Sequence, residues 1–290
     1  GMPEPVHSES VQPTVPASVH GRLLLVFVLS VSAFVGAFVG SAGLMPTASG
    51  PVLGLVTETI RLGLGLLAAL SVGRVLIAWR MVDPDHARDT WIGPVANFFE
   101  RYGARTAWGV LALIGLYRIS DIVLGVISNV FYQDLGFSKP EIAAAVKTFG
   151  VVVSILGGFG GGWLATRMGV MRALWWGAVL SALTNLCFVG LAWAGHHLVG
   201  LYAVVAADNL AAGFASAAFV AFLSSLVNVR FTAVQYAIFS SMMTLLPKTL
   251  GGYSGGMVDA LGYPGFFVLT TLMGLPVLGL VAWAGKRLSP

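Results

Sequence analysis

Long apolar runs separated by short polar stretches dominate the chain. A helix crossing the roughly 30 Å hydrocarbon core of a bilayer needs about 20 mostly apolar residues. Eight segments reach that length: 23–45, 53–79, 106–130, 140–165, 173–194, 198–227, 232–256 and 265–284. A polar stretch, 80–105, divides the second from the third. Within it 91–102 (WIGPVANFFERY) predicts a short interfacial helix with an aromatic face. The last six segments are joined by short connections, which predicts antiparallel neighbours. Ahead of them all, Pro3, Pro5, Pro13 and Pro16 stand among Ser, Glu and Val, without the pattern of a signal peptide. Gly1 before Met2 reads as a cloning scar or a cut end. The pattern predicts an all-α polytopic membrane bundle: a disordered lead or linker at 1–21, two transmembrane helices at 22–80, a cytoplasmic linker at 81–105 and a six-helix bundle at 106–286.

Composition sharpens this. The 290 residues are 57% hydrophobic and 10% charged, against roughly 25% charged in soluble domains. Too few charges remain to cover a soluble surface, so a soluble enzyme, a disulfide scaffold and a disordered tail are excluded. The one cysteine, Cys187, allows no intrachain disulfide and reads as a small buried apolar side chain. His7, His20, His86, His196 and His197 all fall outside the spans. No helix therefore presents a histidine pair, and neither a metal nor another cofactor is expected. No G-x-S-x-G elbow is present, so an enzyme is disfavoured.

The net charge of +4 is a matter of topology rather than of nucleic-acid binding. With eight spans, one side holds ten basic residues: Arg22, Arg80, Arg88, Arg101, Arg105, Arg167, Arg172, Arg230, Lys286 and Arg287. The other holds Lys139 alone. That asymmetry predicts both termini in the cytoplasm.

An ionised side chain at mid-bilayer costs about 2.5–3.5 kcal/mol, so it faces a partner or a wet cavity. In the last six spans such residues are Arg118, Asp121, Lys147, Asp208 and Lys248. They occupy the first two helices of each triple and spare the third. At a rise of roughly 1.5 Å per residue, Asp121, Asp208, Lys147 and Lys248 all lie roughly 12–15 Å below the Lys139 side. A shared aqueous chamber accounts for this, although Arg118 and Asp121 are also spaced to neutralise each other. In the second span Glu58 and Arg61 read as a local pair. Gly157/Gly161 and Gly158/Gly162 are small residues four apart that admit a close neighbour. Pro247 and the glycines at 251, 252, 255 and 256 predict a kink or unwinding near Lys248. Ser138-Lys-Pro-Glu141 has capping-box spacing.

Two triples of helices with this charge placement resemble one six-helix half of a major facilitator transporter. The loop Gly162-Trp-Leu-Ala-Thr-Arg167-Met-Gly169-Val-Met-Arg172 is similar to that superfamily's cytoplasmic loop motif. Thr166 replaces its usual aspartate, and Arg172 falls late for its closing basic pair. Residues 113–135 (LIGLYRISDIVLGVISNVFYQDL), 136–150 (GFSKPEIAAAVKTFG), 208–228 (DNLAAGFASAAFVAFLSSLVN) and 231–241 (FTAVQYAIFSS) narrow the resemblance. Over about 95–284 they look like the C-terminal half of AmpG-type muropeptide permeases, and 22–80 resembles the extra helices of longer members. The resemblance implies import of GlcNAc-anhydromuramyl peptides with protons across the bacterial inner membrane, for peptidoglycan recycling. It also implies a missing N-terminal six-helix half, without which this chain is not expected to transport.

For a carboxylate-bearing disaccharide peptide, Arg118, Lys147 and Lys248 are the candidate anion receivers. Asn129, Asn209 and Gln235 are candidates for sugar hydroxyl and acetamido groups, and Tyr117 or Tyr236 for a ring. Asp208 and Asp121 are candidate proton carriers. Asp208 is preferred, because Arg118 should keep Asp121 ionised. A facilitator for a siderophore or an acyl-CoA, and a non-transporting scaffold, are the competing readings.

Overall fold

The computed structural model describes residues 17–44, 51–228 and 231–288. Most of the expected lead, and Arg230 of the basic set, lie outside the described residues. Among the described residues the regular structure is entirely helical. The chain forms two compact units, 1–93 and 94–290.

The first unit holds α1 (Ala17–Gly40), α2 (Pro51–Ala78) and the short α3 (Pro84–Ala87). Its core is small: Val26, Leu76, Val82 and Ala87. Only 6% of the apolar window of α1 and 11% of that of α2 are buried inside the molecule. An apolar helix pair this bare needs lipid rather than water around it. Arg61 donates to Glu58 at 2.5 Å and to the Phe38 carbonyl at 3.0 Å, with its guanidinium 4.4 Å from the Phe38 ring. Glu58 and Arg61 are thus the local pair expected of them.

The second unit holds α4 (Gly93–Tyr102), α5 (Ala104–Leu116), α6 (Ile119–Asp134), α7 (Lys139–Ile142), α8 (Gly150–Met168), α9 (Val170–Ala194), α10 (Leu198–Leu226), α11 (Thr232–Gly251) and α12 (Ser254–Leu288). Its core is aromatic at one end, where Phe131, Phe188 and Phe267 pack with ring centroids 4.8–6.3 Å apart. The capping box forms, with Ser138 and Glu141 exchanging backbone bonds of 2.8 and 3.4 Å. The aromatic face of α4 packs on the bundle, its buried Phe98 lying 5.1 Å from the Phe239 ring of α11.

Seven helical stretches among the described residues are long and apolar enough to cross a membrane, where the sequence predicts eight. The difference lies at 232–256. There α11 carries Gln235, Ser240, Ser241, Thr244 and Lys248 and is less apolar than its neighbours. The predicted break falls at Gly252–Tyr253, four residues beyond Lys248. The following α12 has 35 residues, roughly 52 Å at 1.5 Å each, too long for one straight crossing. It bends at Gly262, whose φ of 67° is open to glycine at little cost. Cys187 corrects an expectation: it is exposed rather than buried, because it lies on the outward face of α9.

α8 and α10 make the closest approach. A Cβ built at Gly157 would lie 2.2 Å from the Leu210 carbonyl oxygen, and one at Gly161 2.3 Å from that of Phe214. The partner helix answers with Gly213, where a Cβ would lie 2.0 Å from the Ser154 carbonyl oxygen. The small-residue stripe read from the sequence is therefore one side of a two-sided lock.

Candidate functional site

Three charged side chains of the second unit stand where its helices depart from regularity. Arg118 sits in the break between α5 and α6, with φ −100° and ψ 11°. Lys147 lies in a π-helical turn, Ala143–Phe149, between α7 and α8. Lys248 closes α11 one turn before its break. Interrupted helices are where transporters build their sites, since loosened backbone is tolerated only against protein or a wet cavity. π-turns likewise concentrate at functional positions.

The break at Arg118 assembles one cluster. The Arg118 guanidinium nitrogen Nε lies 3.2 Å from Asp121 Oδ2, and Nη1 donates to Ser216 Oγ on α10. Ser181 on α9 donates to the same Asp121 oxygen at 3.3 Å. Asp208, in the middle of α10, is in Coulombic reach of both Asp121 and Arg118. Its carboxylate has neither a hydrogen bond nor an ion pair among the described residues. One cation thus faces two acids. The side chains of Arg118 and Asp121 are 20% and 12% exposed, so water reaches them narrowly.

A second group lines a cavity of about 510 Å³ between α6 and the α7–α8 turn, with Asn129, Tyr132, Gln133, Lys139 and Lys147 on its walls. Tyr132 joins the groups, being in Coulombic reach of Asp208 as well. The structure therefore brings Asp208 near the Arg118–Asp121 pair and places Asn129 and Lys147 on the walls of one cavity.

Other expected residues lie elsewhere. Lys248 is exposed, with no ion pair among the described residues. Asn209 bonds the Val205 carbonyl at 3.0 Å and packs against Gly150. Gln235 is buried, donating to the Pro94 carbonyl at 2.8 Å and accepting from the Asn228 amide at 2.7 Å. It ties α4 to the α10–α11 connection and has no side-chain atom to offer a sugar. Tyr117 is buried too, stacked 4.6 Å from Phe219 and donating to the Leu174 carbonyl at 3.0 Å. Its ring faces are taken up by packing. In the loop motif, Gly169 makes the α8–α9 turn at φ 87°, and Gly162 has open space around it. Arg167 lies 5.7 Å from the Trp163 ring. Thr166 donates to the Trp163 carbonyl, within its own helix. Arg172 lines a separate cavity.

Sequence reasoning missed a polar seam beside this cluster, on the two helices without core charge. Asn185 of α9, fully buried, donates to Ser120 at 2.6 Å and to Thr270 of α12 at 3.3 Å. Its Oδ1 has no partner. Ser120 donates onward to the Thr270 carbonyl at 2.9 Å. A buried amide between apolar residues was the signal: such a group is buried only against partners. Among the described residues no cluster of His, Cys, Asp and Glu has metal-binding arrangement.

No family model matches the chain. A Rickettsia felis protein named as a transporter, AmpG 4, is 30% identical over 198 residues, covering 68% of this chain and 47% of its own length. A Haemophilus influenzae protein whose name assigns no function is 36% identical over 200 residues, 67% of this chain and 47% of its length. The anhydromuropeptide permease of Escherichia coli is 30% identical over 191 residues, 66% of this chain and 38% of its length. This chain thus spans about half or less of the curated relatives it matches. The similarity at about 30% identity over two thirds of the chain bears out the resemblance to part of an AmpG-type protein. The named relatives are transporters and a permease, not enzymes. With the multi-span helical bundle, they make this chain similar to part of a membrane transporter.

Proposed function

We propose, taking this chain as a partial AmpG-type protein, that its larger unit forms one wall of a proton-coupled pathway importing anhydromuropeptides for peptidoglycan recycling. It acts in the bacterial inner membrane with both termini cytoplasmic. The rest of such a carrier, the length its relatives have beyond this chain, supplies the facing wall. The observation that carries the reading is the coincidence of charge with helix breaks: Arg118 at the α5–α6 interruption and Lys147 in the π-turn. Arg118 receives a peptide carboxylate through its guanidinium fork, and Lys147 receives a second at the cavity it shares with Asn129. Asp208 carries the proton. It has no cation of its own, and Arg118 is engaged with Asp121. Tyr132 lines that cavity and is in Coulombic reach of Asp208.

The test is equilibrium binding of a labelled GlcNAc-anhydromuramyl peptide to the purified chain across the neutral pH range. Wild type is expected to bind in a pH-dependent way. Asp208→Asn is expected to bind with that dependence flattened. Wild-type pH dependence in the variant removes Asp208 from the role. Absence of saturable muropeptide binding, with saturable binding of a siderophore or an acyl-CoA to the same chain, would support a facilitator for another substrate.

A further inference from the structure

A cavity of about 630 Å³ opens at the opposite end of the second unit from the Lys147 cavity, where α4, α8, α10 and α12 end and α9 begins. Arg101 and Arg172 line it, and no acidic residue does among those described. Arg101 donates weakly to the Leu226 carbonyl, at 3.4 Å, and its guanidinium lies 5.1 Å from the Tyr102 ring. Arg172 has neither an ion pair nor a hydrogen bond among the described residues. Two guanidinium groups around one concavity without a carboxylate are arranged for an anion from outside. The first turn of α9 forms part of the wall, and Gly169 ahead of it provides no side-chain cap. Its first amides and the positive end of a 25-residue helix add to the same field.

The depth of the cavity identifies the kind of anion. Trp163, Trp175 and Trp176 are exposed beside the α8–α9 turn, and tryptophan concentrates where headgroups meet hydrocarbon. Trp175 and Trp176 lie one turn along α9 from Arg172, which leaves apolar surface running away from the charged end. A ligand with a phosphate in the cavity and acyl chains along that surface satisfies both halves. We propose that this cavity binds an anionic phospholipid, its phosphate held between Arg101 and Arg172. Basic pockets between transmembrane helices are suited to such headgroups.

Native mass spectrometry of the purified chain, exchanged into mixed phosphatidylglycerol and phosphatidylcholine micelles, tests this. Wild type is expected to retain phosphatidylglycerol. Joint Arg101→Gln and Arg172→Gln substitution is expected to reduce the retained fraction roughly tenfold. Joint replacement of Arg101 and Arg172 by lysine guards against misfolding, since it keeps the charge and should bind between wild type and the glutamine pair. Equal retention by wild type and a monodisperse glutamine pair overturns the site. Displacement of the lipid by inorganic phosphate overturns the lipid assignment in favour of a soluble phosphate.

Discussion

Gly213→Leu is expected to prevent α8 and α10 from packing and to leave the chain aggregated when it is extracted into detergent. The clash is with backbone on both sides of the interface. A Cβ at Gly213 would lie 2.0 Å from the Ser154 carbonyl oxygen and 2.9 Å from its carbon. No rotamer relieves that, because neither atom belongs to a side chain. Moving α10 outward would also pull Leu210 and Phe214 off Gly157 and Gly161, whose clearances are as tight. In a membrane this contact has no hydrophobic effect to fall back on, since lipid is as apolar as the helix, and close packing itself holds the pair. Overpacking a core typically costs about 1–3 kcal/mol, and Gly213→Ala alone should reach that range. Gly162→Ala and Gly125→Ala meet nothing within 4 Å and should stay within about 0.5 kcal/mol of wild type. Size-exclusion profiles after heating separate the cases. If Gly213→Ala melts with Gly162→Ala, the helices are further apart than described.

This interface also marks how far sequence reaches. Gly157 and Gly161 were legible because a four-residue repeat of small residues has one physical use in an apolar helix. Gly213 did not stand out, because small residues crowd this part of α10 (Ala211, Ala212, Ala215, Ser216, Ala217 and Ala218) and offer several such spacings. The break after Lys248 was legible from Pro247 and the glycine pairs, since proline and glycine weaken a helix wherever it folds. The π-turn around Lys147 was not legible, because Ala143–Phe149 contains neither proline nor glycine. In the site, Arg118 and Asp121 were legible from their spacing along one chain. Ser181 and Ser216 reach them across 60 and 98 residues, a distance no local pattern encodes. Gln235 and Tyr117 were legible as polar groups in apolar segments but not as structural ones. Which face of a helix meets backbone rather than cavity depends on the neighbours that arrive.

Arg118→Gln is expected to have the second large effect, and its partner substitution decides what the effect means. Arg118 faces Asp121 at 3.2 Å with Asp208 in Coulombic reach. Removing it leaves two carboxylates in a poorly hydrated space with no cation beside them. Breaking a buried pair from one side costs about 3–5 kcal/mol, so a marked fall in thermal stability near neutral pH is expected. Asp121→Asn alone should be milder, because Arg118 still has Ser216 and Asp208. The double substitution should regain most of the loss, and the cycle of four melting measurements yields the coupling between the two. Stability alone does not separate a local neutralising pair from a binding group, but ligand affinity does. If the pair only neutralises itself, the refolded double variant binds the muropeptide as wild type does. If Arg118 holds a substrate carboxylate, the double variant keeps its fold and still loses affinity roughly tenfold or more, the worth of a charge-assisted bond of about 1.5–3 kcal/mol. Wild-type affinity in that variant would take Arg118 out of the pathway, and with it the strongest link between the helix break and transport.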